Sequence, residues 1–154
     1  MKNRILIINR DQYGYHIDTY KYCEYLKSQF DLTYLGFDFE LPKIDREGVN
    51  IKYVSRKGNK AIRSFRFLKE VNNEIKKGQY NLIFIVFFPA ASFVRLLNYD
   101  KVFIVDIRSC SIGFSKFKNY LNDLLLRFEI STFDHITVIS NSLASALKIK
   151  KFHL

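Results

Sequence analysis

The sequence predicts an α/β protein: a Rossmann-like, doubly wound parallel sheet with helices on both faces. Three observations carry this. Short β-branched apolar runs recur along the chain, as strands buried on both faces require. Amphipathic helical stretches separate most of them, and such alternation is how parallel strands are joined. The 154 residues are 48% apolar with only two Pro and six Gly, which excludes disordered and collagen-like chains and suits one domain able to bury about 70% of its unfolded surface.

Residues 5–8 (Ile-Leu-Ile-Ile) are the first strand, followed by a helical pattern over 17–30 with Tyr22, Tyr25, Leu26 and Phe30 on one side. Residues 32–35 and 51–54 are two further strands, joined by the loop 38–50. A helix over 61–77 carries the stripe Ile62, Phe65, Leu68, Val71 and Ile75. Strands follow at 82–87, 102–105 and 136–139. Between the last two, the segment 117–133 places Tyr120, Leu121, Leu124, Leu125 and Phe128 at helical spacing, which predicts a stripe facing the core. Residues 147–154 read as a helix end with Lys148, Lys150 and Lys151, after which Phe152-His153-Leu154 begins as another strand would.

The longest apolar stretch, 82–94, is interrupted by Pro89 and is shorter than the ~20 residues that cross a bilayer. The amino terminus lacks a signal-peptide core. Cys23 and Cys110 have no CxxC or Cys/His spacing, so no metal site and no disulfide framework is expected, and a reduced, cytoplasmic setting is.

Lys and Arg outnumber Asp and Glu by 25 to 15, a formal charge of +10 that favours anionic partners. Arg56, Lys57 and Lys60, then Arg63, Arg66 and Lys69, form a basic run whose later members recur every third residue. Interleaved with Phe65 and Phe67, it reads as a helix face for an anionic membrane surface or as an ordinary solvated face. No helix-turn-helix or aromatic-basic ribonucleoprotein motif is present, so nucleic acid is not the expected partner.

In open α/β sheets, ligands bind beyond the carboxyl ends of the strands. After the first strand comes Asn9-Arg10-Asp11-Gln12-Tyr13-Gly14-Tyr15-His16. It lacks the Gly-x-Gly-x-x-Gly of a dinucleotide site, a P-loop, and the acidic pair or Ser/Thr-rich loop that a receiver or flavodoxin-like site would need. Gly14 permits a tight turn into the helix, and His16 is either a ligand contact or a solvated first-turn residue. Asp106 and Arg108 follow a buried strand and alternate with Ile107, so they share one side. They read as a pair that orients sugar hydroxyls or holds a phosphate, or as a mutual salt bridge closing the sheet. Ser109, Ser111 and Gly113 make a flexible loop around Cys110, and Ser140 ends the last strand. Glu129 is placed to pair with a basic residue or to cap a neighbouring turn.

The series Val105-Asp106-Ile107-Arg108-Ser109, the helix ending Arg127-Phe128-Glu129, and Phe133-Asp134-His135-Ile136-Thr137-Val138-Ile139-Ser140 with Leu143 resembles the amino-terminal half of family 4 glycosyltransferases. These are GT-B enzymes with two Rossmann-like domains and a cleft between them. The resemblance implies one acceptor-side domain over 1–154, with Gly14, Tyr15, His16, Asp106, Arg108, Ser109 and Ser140 at the cleft and the nucleotide-sugar domain outside this sequence. It implies retaining transfer from a nucleotide-sugar donor, bound by that other domain, to a glycan or lipid-linked acceptor, as in surface polysaccharide assembly at the inner face of a cell membrane. The domain alone is expected to bind no cofactor and to be inactive. Ser109 stands where that motif commonly has Asp, and Gly14 where many relatives have a Gly pair. The rival expectation is a non-enzymatic basic module that docks an anionic partner.

Overall fold

The computed structural model describes residues 2–109 and 116–154. Its elements run β1 (Arg4–Ile8), α1 (Ile17–Leu26), β2 (Asp31–Asp38), β3 (Val49–Ser55), α2 (Lys60–Gly78), β4 (Leu82–Val86), α3 (Ala91–Leu97), β5 (Val102–Ile107), α4 (Lys116–Ile130), β6 (His135–Val138) and α5 (Asn141–Ala146). The strands form one parallel six-stranded sheet in the order β3-β2-β1-β4-β5-β6. This is the Rossmann order, and the chain reverses its direction of travel between β1 and β4. Beyond β6, His153 pairs in parallel with Thr137, continuing the sheet.

Right-handed crossovers dictate which face each helix covers. Strands laid down from β1 toward β3 send α1 to one face, whereas the run from β3 to β6 sends α2, α3 and α4 to the other. Two cores result. Cys23 of α1, with Tyr20 and Leu26, packs on Ile5, Ile7, Leu32 and Tyr34. Phe67, Val71 and Ile75 of α2, Ala91 and Val94 of α3, and Leu126 and Ile130 of α4 pack on Leu6, Ile8, Ile83, Ile85, Phe103 and Val105. Burial pushes the Cys23 thiol up to about 12, which makes it a core residue and a poor nucleophile.

Two helical stripes turn out differently from the sequence reading. On α2, Val71 and Ile75 of the expected stripe are buried and Leu68 packs against the core, but Ile62 and Phe65 are exposed and Phe67 is buried. On α4, Leu126 and Ile130 are buried, and Tyr120, Leu121, Leu124, Leu125 and Phe128 face outward, Phe128 at 72% exposure. Each helix carries apolar residues at two phases, and contact with the sheet accommodates one of them. Phe67, read as part of a basic surface, is therefore a core residue, 1% exposed. The helix α3 lies inside the long apolar stretch and has no periodic pattern of its own in the sequence.

The β2–β3 connection contains no helix and is pinned to the β1–α1 loop. Gln12 donates from Nε2 to the carbonyls of Leu41 and Pro42 and accepts at Oε1 from the amides of Phe39 and Leu41. Arg46 donates from both sides of its fork to Glu24 of α1, at 2.9 and 2.6 Å. Gly36 lets β2 approach the same loop, since a Cβ there would lie 2.3 Å from the Asp11 carbonyl oxygen.

Three carboxyls that join elements are held below their ordinary values. The Arg46 guanidinium brings Glu24 to about 2. Burial alone would raise Glu74 and Asp134. Hydrogen bonds from Lys52 and Tyr80 outweigh it at Glu74, and those from the Phe103 amide and Arg95 outweigh it at Asp134. Groups so depressed stabilise the fold above their unfolded values and lose that contribution as pH falls through the folded ones. Stability is therefore expected to be flat near neutrality and to fall progressively below pH ~4.5. Urea midpoints measured from pH 7 to pH 2.5 check this, and a midpoint that rises on acidification contradicts it.

Candidate functional site

The carboxyl ends of the strands present two separate arrangements, one on each face of the sheet. On the α1 face, Asp106 of β5 is 2% exposed and both its oxygens are used. Thr137 Oγ1 donates to Oδ1 at 2.8 Å and Arg108 Nε to Oδ2 at 2.5 Å. Arg108 also donates to Asp18 of α1 at 2.9 Å and to the Tyr22 hydroxyl. Burial would lower the Arg108 value, but Asp106, Tyr22 and Asp18 together hold it above its ordinary range. The mutual salt bridge is thus present, and it ties α1 to β5 and β6. The same two side chains line an apolar cavity of about 470 Å³ with Ile5, Ile7, Phe84 and Ile104. This is the half of the face on which no crossover helix lands.

Gly14, Tyr15 and His16 engage the chain's own groups and not the Asp106–Arg108 pair. Gly14 has φ +88°, and a Cβ on it would meet the Ile44 side chain at 2.3 Å. The Tyr15 hydroxyl donates to the Pro42 carbonyl. His16 is the N-cap of α1, its Nδ1 accepting from the Thr19 amide. At the end of α1 where a Rossmann protein seats a pyrophosphate, His16 thus takes up the Thr19 amide and Asp18 adds a negative charge. Ser140 spends its hydroxyl as the N-cap of α5. Cys110, Ser111 and Gly113 lie outside the described residues.

On the α2–α4 face the strand ends border two adjoining hollows, one beyond β1, β2 and β3 and one beyond β4 and β5. The first is cationic. Arg10, directly after β1, lies 5.2 Å from the Phe37 ring centre and 5.8 Å from that of Phe88, and it donates to Ser64 of α2. Beside it, Arg56 stacks on Phe39 at 3.7 Å, and Lys60 and Arg63 complete a small hollow that also includes Asp11. The second hollow is lined by Ser109, Asn122, Leu125 and Glu129 together with Lys60, Phe87 and Pro89. Lys60 borders both hollows, so they share one rim.

Glu129 caps the turn into α3. Its carboxylate accepts from the amides of Ala90 and Ser92 and from the Ser92 hydroxyl, holding Ala90 at φ +72°. This is one of the two roles its position suggested. The basic run divides. Arg56, Lys60 and Arg63 line the cationic hollow, Arg66 donates to the carbonyls of Ser55 and Lys57, and Lys57 and Lys69 are exposed. No motif singles out Arg10. Its one signal was its place immediately after a fully buried strand.

Among the described residues no group of three His, Cys, Asp or Glu could hold a metal ion, and no helix is long and apolar enough to cross a membrane.

No family model matches the chain, and no curated protein matches it. Solved structures do. The chain is similar to the DNA/pantothenate metabolism flavoprotein of Streptococcus pneumoniae, with TM-score 0.51 and 10% identity over 90% of this chain and 80% of that one. It is also similar to a "putative epimerase" of Bacteroides thetaiotaomicron, with TM-score 0.47 and 17% identity over 90% and 71%. At 10% identity the first likeness shows the fold: this chain has a Rossmann-like parallel α/β fold.

Proposed function

We propose that this chain is the acceptor-binding half of a GT-B glycosyltransferase resembling family 4, which transfers a sugar from a nucleotide-sugar donor, with retention, to a glycan or lipid-linked acceptor. The observation that carries the reading is the pair of hollows joined at Lys60, one lined by cations and the other by Ser109 and Asn122. Uncharged polar groups next to cations suit a hydroxyl-rich ligand bearing negative charge. At the α1 end, use of the Thr19 amide by His16 and the negative charge of Asp18 argue against a pyrophosphate-cradling dinucleotide or flavin site. The resemblance of residues 105–143 supplies the transfer chemistry, with the donor bound by a second domain.

A panel of neutral and phosphorylated oligosaccharides, titrated into the chain and read by amide chemical shifts, tests this. Saturable shifts clustered on Ser109, Asn122 and the start of α2 support it. Saturable shifts confined to the α1 face contradict it.

The rival, a basic module on an anionic membrane, has its own support. Leu121, Leu124, Leu125 and Phe128 face outward from α4, and Leu125 shares a hollow with Lys60. Apolar residues beside cations are what a charged bilayer surface attracts, and a lipid-linked acceptor would be met there. Exchanging Leu125 and Phe128 together for Asp should abolish sedimentation with phosphatidylglycerol vesicles and leave the fold intact, because both side chains are exposed. Unchanged sedimentation would remove the membrane from the proposal.

A further inference from the structure

The cationic hollow is built for a ligand that the chain itself does not provide. Arg10, Arg56, Lys60 and Arg63 come from the end of β1, the end of β3 and the first turn of α2, and they converge on one hollow of about 210 Å³. Asp11 is the single carboxylate among its lining residues. Among the described residues, the ion pairs use Arg4, Lys27, Lys43, Arg46, Lys52, Arg95, Lys101 and Arg108, and none of these four. Arg10, Arg56 and Arg63 are half-buried, so bulk water screens them less than it would exposed cations.

Like charges collected in a hollow repel, and the Arg10 guanidinium is pushed below its ordinary value by burial and then by Arg63 and Arg56. Such an arrangement destabilises the unliganded protein and is relieved by an anion. Two of the guanidiniums are held in place by aromatic rings, Arg10 by Phe37 and Phe88 and Arg56 by Phe39. Their planar forks are thus ordered before a ligand arrives, which lowers the entropic cost of binding.

We infer that Arg10, Arg56, Lys60 and Arg63 form a binding site for a phosphate or diphosphate group, which anchors the charged end of the ligand while the hollow at Ser109 and Asn122 receives its uncharged part. The inference rests on the joined hollows being a ligand site, not on the transfer chemistry. A soluble sugar phosphate and a lipid-linked diphosphate present the same group.

The test uses inorganic pyrophosphate on the intact chain, with sodium chloride at equal ionic strength as control. Pyrophosphate is expected to bind once per chain and to raise the melting temperature, since a ligand specific for the native state stabilises it by mass action. Arg63→Gln should weaken that binding roughly tenfold or more and leave the unliganded melting temperature unchanged or higher, because a repelling charge is removed. Lys101→Gln, at the opposite ends of the strands, should bind as the parent does. Equal binding by Arg63→Gln and the parent, or an equal rise in chloride, overturns the inference.

Vesicles containing phosphatidic acid separate the sources. If pyrophosphate displaces the chain from them, the site takes phosphate from a lipid headgroup; if the chain ignores the vesicles and binds pyrophosphate, the source is soluble. Saturable glycan shifts on Ser109 and Asn122 without any pyrophosphate binding would sink this inference alone and leave the acceptor-site reading standing.

Discussion

Replacing Arg108 with Ala is expected to destabilise the domain by about 3–5 kcal/mol, the usual result of removing one partner from a buried ion pair. The Asp106 carboxylate is almost fully buried at the edge of an apolar cavity, and without Arg108 it would keep only the Thr137 hydroxyl. Asp106→Ala should cost less, because Arg108 would still have Asp18 and Tyr22. For a domain of this size the larger loss corresponds to a fall in melting temperature of roughly 10 °C. The double variant should lose less than the sum of the singles, since the two side chains share one interaction. Thermal melts of the three variants measure this. Near-parental stability in both single variants would instead mark the pair as a ligand contact, the alternative that the sequence left open.

Gly36→Ala should be nearly as damaging, for a reason of shape. The added methyl would lie 2.3 Å from the Asp11 carbonyl oxygen and 3.1 Å from that of Asn9. Backbone cannot swing aside as a long side chain can, so the β1–α1 loop must lift from β2. Such overpacking typically costs 1–3 kcal/mol, and about 3 is expected where main chain is struck. The lifted loop also carries Gln12, which pins residues 39–42, and Arg10, so ligand binding in the cationic hollow should weaken along with stability. Denaturant midpoints and pyrophosphate titration of one sample read both effects. A variant with unchanged midpoint would mean that the loop is not packed against β2 as described.

The strand β1 was legible because a strand covered on both faces must be apolar throughout, and Ile5, Leu6, Ile7 and Ile8 cannot be mistaken for an amphipathic helix. The strand β5 is open to the cavity on its α1 face and was legible because Val102 to Val105 are all β-branched or aromatic. The helix α3 was not legible, since seven residues after Pro89 make too short a period to stand out inside an apolar run. The beginning of the α2 stripe and the whole of the α4 stripe differ from the sequence pattern for another reason. Ile62 and Phe65 are as hydrophobic as Phe67 and Val71, and only the position of the sheet decides which pair is buried.

Of the site, the polar groups at strand ends were found individually, but not their partners. Asp18 and Tyr22 reach Arg108 across some ninety residues of sequence. Arg10, Arg56 and Arg63 meet because the order β3-β2-β1 sets three strand ends side by side, and that order cannot be read from one sequence.

On the proposed function, this chain holds the acceptor side and not the nucleotide-sugar site. Calorimetry with uridine and guanosine diphosphate sugars, against a nucleoside-free diester of diphosphate carrying the same charge, is the decisive measurement. The nucleoside is expected to add nothing: any heat comes from the charge alone and matches that of the diphosphate diester. Saturation at one site per chain, with an affinity that depends on the nucleoside, would contradict it.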